Sequence, residues 1–440
     1  MKLIKQLFIK HALKLKNTFW IVSEDVLRRA LNFLLLIFLT RYLGVVQFGM
    51  LSYALNFLPM LPPLVALGTD KLTLQALIHH PKARNSIVGT ALFIRSFMGI
   101  LLIPVVFFMA GQLQPQDALM RWLVIIATSG VAFESSNVLA FWFQAKGRFD
   151  QVALARILGF SIALIWRFIL IINKASLIVF VWSYLGERLL VLLSLLFFFK
   201  LSGGRPLAWK LDLKLAGDLI RKGSAIMFTQ IVIMLYLYLD VILLQHFSGT
   251  RAVGIYSLAN KLCEPLRFLG LAVVLAFSPA LIHTYKKIKE DYWRKLGELS
   301  AVLCAAAYLL IIGSLFLSRP LIMFIFGQEY AESALILNYL VLLVFFVYFG
   351  DLKETTLILE KQQFFYFLCM TGTLLLSLVL NFQLIPVYGV LGMVWTKLMV
   401  GAFFDLLVLP LYPPTRRLAW VLISSLLLLP LFKKVRKISE

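Results

Sequence analysis

From Trp20 to Tyr412 the chain is a succession of apolar runs about twenty residues long, joined by connections too short to fold by themselves. No water inside a bilayer bonds an exposed peptide group, so unalternating runs of this length cross as helices. Twelve are read: 19–40, 48–69, 86–110, 119–143, 152–172, 176–199, 223–246, 254–283, 297–318, 332–356, 362–385 and 390–412. A thirteenth run, 418–432, is short. The fold class that follows is all-α, a polytopic membrane protein of about 12 transmembrane helices. Composition agrees: 61% of the residues are hydrophobic and the mean hydropathy is +0.91, outside the range of soluble domains.

The formal net charge of +22 would suit a nucleic-acid partner if it were gathered on a soluble surface. Here the basic residues sit in the short connections, and they alternate. Twenty-five Lys and Arg fall on the side that carries the N-terminus, against five on the other: Arg41, Arg121, Lys174, Arg251 and Arg319. That bias is the positive-inside pattern, so anionic membrane lipid is the expected partner and nucleic acid is not. It also predicts a cytoplasmic N-terminus, where residues 1–20 read as a basic amphipathic helix on the membrane surface. Cys263, Cys304 and Cys369 lie in apolar runs without CxxC spacing, so neither disulfides nor a structural metal are expected.

One stretch recurs. Gly44, Gly49, Ser52 and Ala54 return with the same spacing as Gly249, Gly254, Ser257 and Ala259, and each set joins one apolar run to the next. Glycine at such a corner supplies positive φ or close helix approach. With the polar connection 201–222, the recurrence divides the chain into an N-terminal lobe (1–200), a cytoplasmic linker, a C-terminal lobe (223–412) and a basic tail (413–440). Six runs separate the copies, which predicts parallel repeats.

Ionisable groups within spans cost on the order of 2.5–3.5 kcal/mol each at the helix centre and are tolerated where they face a bundle interior or water. Span one carries Glu24, Asp25, Arg28, Arg29 and Asn32, with Asp25, Arg29 and Asn32 on one face and Glu24 in reach of Arg28. Glu24 and Asp25 are expected to snorkel to the interface. Span eight carries Asn260, Lys261, Glu264 and Arg267 around Pro265, and Arg95 lies deep in span three. Arg167, Glu134, Asp240, Lys397 and Asp405 are further single groups, and Glu187–Arg188 is expected to be a structural pair or interfacial. The deeper groups are mainly basic, so Arg28, Arg29, Arg95, Lys261 and Arg267 are the candidate substrate-binding residues, lining a cationic cavity for an anion. Arg suits phosphate oxygens through its bidentate fork. No GxxxxGK[ST], HExxH, GxSxG or aspartate-rich diphosphate motif is present, and an enzyme is not expected.

Several segments carry a family likeness: TRYLGVVQFGMLSYAL (40–55), LGTDKLTLQAL (67–77), AVGIYSLANKLCEPL (252–266), FGQEYAESALILNYLVL (326–342) and LNFQLIPVYGVLGMVWTK (380–397). In order and spacing the chain resembles the O-antigen type oligosaccharide/polysaccharide flippase family of the multidrug/oligosaccharidyl-lipid/polysaccharide exporter superfamily. The resemblance implies two six-helix lobes around a central cavity, and alternating access. The implied substrate is undecaprenyl-pyrophosphate carrying a short glycan, moved from the inner to the outer leaflet of the bacterial cytoplasmic (inner) membrane for surface polysaccharide biosynthesis. It implies no cofactor beyond H⁺ or Na⁺ coupling, and polysaccharide polymerase machinery as a further partner. The alternatives are an ion-coupled multidrug exporter of the same superfamily and a non-transporting envelope-assembly scaffold. The chain departs from the family in its short thirteenth run. At 15 residues it would span about 22 Å against a core of roughly 30 Å, and a half-inserted or interfacial helix is expected there.

Overall fold

A computed structural model describes residues 2–430, except for the side chains of 2–19, 21, 22 and 207. Met1 and 431–440 lie outside it, and with them the basic cluster Lys433–Lys437 and the last two residues of the thirteenth run. The side chains of the expected surface helix at 1–20 also lie outside, apart from Trp20.

The chain divides into two compact units, Met1–Met234 and Leu235–Glu440. The first begins with α1 (Lys2–Asn56), which is broken at Gly44, and α2 (Pro62–Ala66). It continues with α3 (Asp70–His79), α4 (Arg84–Leu113), α5 (Ala118–Ser129), α6 (Ser136–Ala145), α7 (Phe149–Ile172) and α8 (Leu177–Leu201). Helix α9 (Leu213–Lys287), broken at Gly249, runs from the first unit into the second. The second unit continues with α10 (Lys289–Phe326), α11 (Ala331–Leu342), α12 (Val344–Leu359), α13 (Gln363–Tyr388) and α14 (Val390–Ala402). A π-helical turn (Phe403–Val408) leads to α15 (Leu409–Leu411) and α16 (Arg416–Leu426).

Ten helical runs among the described residues are long and apolar enough to cross a membrane, and two of them contain the breaks at Gly44 and Gly249. The 44-residue run Ser23–Ala66 would extend to about 66 Å as one helix, twice a bilayer core. Counting each broken run as two crossings recovers the twelve expected. The prolines Pro59, Pro62 and Pro63 end the second arm of α1, because each lacks an N–H and clashes with the preceding turn. Helix α13 continues through Pro386 and stops at Gly389, where φ is positive.

The two glycine corners have one backbone conformation: φ 65, ψ 177 at Gly44 and φ 78, ψ −178 at Gly249. This region is open essentially to glycine alone. Their surroundings also repeat. Tyr42 Oη beside the first corner donates to the carbonyl of Ala175, next to Lys174, which has positive φ. Beside the second, Ser248 Oγ lies 3.6 Å from where a Cβ on Gly389 would sit, and Gly389 has positive φ too. Each unit thus sets its first corner beside the connection between its last two crossings, with a hydrogen bond in the first.

The interior of the first unit is apolar around Phe143, Trp142, Leu195 and Phe199, while Phe107, Phe108 and Ile172 point outward, as lipid allows. In the second unit α16 packs along α10. Ser425 Oγ reaches the Gly297 carbonyl at 3.4 Å, Tyr308 Oη donates to Leu426, and Arg417 sits over the Trp293 ring. With 11 residues α16 is about 16 Å long, too short to cross. That suits the half-inserted placement expected of the thirteenth run.

Gly44→Ala and Gly249→Ala are each expected to lower the thermal midpoint of the purified protein, at a cost of about 1–3 kcal/mol for the forced backbone. Gly313→Ala, inside α10 with open space around it, is expected to hold or raise the midpoint. Melting curves in detergent distinguish the three.

Candidate functional site

The first arm of α1 carries two exposed guanidiniums. Arg28 and Arg29 keep 46% and 45% of their side chains accessible, and both converge on Asp25, at 3.3 Å and 2.8 Å. A helix brings i, i+3 and i+4 onto one face, and the sequence Glu-Asp-x-x-Arg-Arg places two carboxylates one turn before two cations. Glu24 is enclosed rather than reaching out to water as expected, and it lies between Arg28 at 3.6 Å and Arg156 of α7 at 3.8 Å. Arg156, which the sequence did not single out, brings a third guanidinium to two carboxylates. Counted from the Gly44 corner, Arg28 lies about 24 Å down the helix, within a bilayer core of roughly 30 Å.

Arg95 is elsewhere in the unit. Only 1% of its side chain is exposed, its partner is Asp70 at the start of α3, and its guanidinium lies 5.4 Å from the Phe141 ring centre. The structure therefore joins Arg28 with Arg29 and gives Arg95 a separate carboxylate. Asp70 sits in the family-like segment LGTDKLTLQAL, where it read as part of a connection. The helix turns it inward because Leu67 and Gly68 take left-handed backbone just before. A side chain on Gly68 would meet the Gly223 carbonyl at 2.2 Å, so this close approach needs glycine.

Glu187 and Arg188 do not pair with each other. Neighbours on a helix point about 100° apart, and each residue finds another helix: Glu187 meets Arg167 at 2.6 Å and Arg188 meets Glu134 at 2.7 Å. Arg167 is enclosed, with Ser183 Oγ at 3.1 Å and the Tyr184 ring 3.7 Å away.

In the second unit Lys261 is exposed on the second arm of α9, and Arg267 is half-buried and bonded to Asn260 two turns before it. Deeper lie two ionic pairs that sequence left as single groups. Asp240 meets Lys397 at 2.5 Å and accepts from Asn381 Nδ2 at 2.7 Å, so α9, α13 and α14 share one polar contact. Lys353 of α12, which counted as a loop lysine, meets Asp405 in the π-helical turn. A π turn adds one residue to the helix and is over-represented at functional sites.

These findings can be compared with known proteins. The family described as polysaccharide biosynthesis protein matches residues 14–284. A curated relative, the capsular polysaccharide biosynthesis protein CapF of Staphylococcus aureus, is 28% identical over 152 residues. That stretch is 34% of this chain and spans 38% of the relative's length. Among solved structures, the lipid II flippase MurJ in an inward closed conformation superposes with a TM-score of 0.70 at 14% identity, covering 94% of this chain and 92% of that one. An inward-facing multidrug resistance MATE family transporter of the MOP superfamily gives 0.66 at 12% identity, covering 91% and 96%. The fold is that of these transporters.

Removing one partner of an enclosed pair leaves an uncompensated charge. Asp70→Ala is expected to cost about 3 kcal/mol, the low end for such a loss because Asp70 is itself half-exposed. Arg95→Met should cost less, and the double variant should recover most of the deficit. A double-mutant cycle on thermal midpoints measures the coupling.

Proposed function

The chain belongs to the polysaccharide biosynthesis protein family, and on that premise we propose that it turns an undecaprenyl-pyrophosphate-linked oligosaccharide from the inner to the outer leaflet of the bacterial cytoplasmic membrane by alternating access. The observation that carries this reading is the Arg28–Arg29–Arg156 cluster. Three guanidiniums face two carboxylates, so the group keeps an excess positive charge, and the two α1 arginines keep nearly half of their surface accessible. A diphosphate suits that surplus: its oxygens accept from the guanidinium forks while Asp25 and Glu24 hold the forks in place. The glycan adds many hydroxyls that a bilayer core rejects, so a protein path is needed for the headgroup and not for the lipid tail.

The exporter reading, with a cationic drug as cargo, calls for deep carboxylates without cations. Asp240 and Asp405 already hold Lys397 and Lys353, which weighs against it. The charge bias supports a cytoplasmic N-terminus, and H⁺ or Na⁺ is the proposed driving ion.

The test is leaflet exchange of a fluorescent lipid-linked oligosaccharide in proteoliposomes holding the purified chain, with a proton or sodium gradient imposed in turn. Exchange of the glycan lipid but not of a cationic dye is expected. Dye exchange alone would favour the exporter, and no exchange of either would favour a scaffold. Arg28→Ala and Arg29→Ala are each expected to slow glycan-lipid exchange about tenfold, the worth of one lost charge-assisted hydrogen bond, each read against its own melting midpoint. Arg95, Lys261 and Arg267 enter the same assay as single alanine variants, each read against its own midpoint.

A further inference from the structure

The connection between α8 and α9 does not hang free. The Lys210 N–H donates to the Asn85 carbonyl at 3.4 Å, and the Asp212 N–H donates to Thr90 Oγ1 at 2.9 Å. Between these contacts the Lys210 backbone lies so close to Gly89 that a Cβ there would come within 2.5 Å of its carbonyl oxygen. The segment is thus tied by its backbone across the start of α4. Its indole, Trp209, stacks towards Phe199 at 5.6 Å, and Phe199 in turn packs on Trp142 at 4.6 Å. Lys146 covers the other side of Trp142 at 3.5 Å, where burial, with the nearby charges of Arg84 and Arg148, pushes its amine below the ordinary lysine range.

Beneath this tied segment is a cavity of about 430 Å³. Its lining is mainly apolar, with Leu92 and Phe93 of α4, Leu139 of α6, and Leu192 and Leu196 of α8, and Ser96 and Ser135 are its polar members. Its rim is polar and cationic, with Lys210 exposed at the edge. The Trp209 Nε1–H is enclosed with no acceptor among the described residues. Every wall residue lies within roughly 18 Å, along its helix, of the helix end on the linker side. The cavity therefore sits in the leaflet on that side, at the depth where acyl chains begin.

The geometry points to a site for one acyl chain of an anionic phospholipid, with its phosphate at Lys210. The volume falls low in the range of ligand sites and holds a single hydrocarbon chain. A long polyprenyl tail exceeds it, and a diphosphate would leave most of its charge unmatched at one lysine. One lysine matches the single negative charge of one phosphodiester. The apolar wall provides the energy of chain burial, and Lys210 provides the preference for negative headgroups. This site is independent of the arginine cluster on α1.

The full-length protein in detergent is incubated with phosphatidylglycerol bearing a diazirine near the end of one acyl chain, irradiated, digested and mapped. Label is expected on the α4 peptide around Leu92–Ser96 and the α8 peptide around Leu192–Leu196. Unlabelled phosphatidylglycerol should displace it about fivefold better than phosphatidylcholine of the same chains, the preference one lysine gives at an anionic headgroup. Lys210→Glu should abolish that preference, and Ser96→Trp, which fills the cavity, should remove the label with either lipid. Leu196→Trp stands in should Ser96→Trp not fold, with the melting midpoint as control. Label spread evenly over lipid-facing helices, or unchanged in the filled variants, overturns the site. Displacement by polyprenyl phosphate and not by phosphatidylglycerol overturns the phospholipid and assigns the cavity to a prenyl tail.

Discussion

A charge inside a bilayer protein is tolerable only in company, and the interior of this chain is arranged around that rule. Arg95 with Asp70, Arg167 with Glu187, Lys397 with Asp240 and Lys353 with Asp405 each set a cation against a carboxylate from a different helix. An isolated charge at such depth would cost several kcal/mol, and a well-made pair roughly cancels that cost without adding much stability. What the pairs add is specification. Lipid-facing helices attract one another only weakly, and an apolar helix can rotate or slide against its neighbour at little cost. A carboxylate that must find one particular amine fixes both rotation and depth. The Asp240–Lys397–Asn381 contact does this for three helices at once.

The arginines on α1 are of another kind. Their carboxylates lie on their own helix, one turn away, so the pairing fixes side-chain direction without tying the helix to a neighbour. Glu24, reaching Arg156, makes an inter-helix link there. The cluster therefore combines a held geometry with two guanidiniums that stay nearly half exposed, whereas Arg95 is enclosed with Asp70.

Much of the fold was legible because it follows from one-dimensional quantities. Run length set the crossings, and the Gly44 and Gly249 spacing marked two corners that adopt the same glycine-only backbone. The Glu24–Arg28 and Asp25–Arg29 pairs were legible because both partners lie on one helix. Pairing between helices was not. Glu187 and Arg188 are adjacent in sequence and diverge in space, each toward a residue tens of positions away. Asp70 read as a connection residue because hydropathy counts a charge as an end, whereas a short helix can carry it to a partner in the next span. The π turn has no hydropathy signature at all.

That turn, Phe403–Val408, makes the position of Asp405 a matter of counting rather than of chemistry. A helix with one residue too many must bulge, and the bulge re-aims whatever it contains by about the 100° that one residue subtends. Losing one residue between the start of the turn and Asp405 would swing the carboxylate by about 100° relative to the preceding helix, away from Lys353. Substitutions at the flanking apolar positions would be absorbed, yet a one-codon deletion among them would uncouple the last crossing from its neighbour. Length, in this part of the chain, is the more tightly held trait.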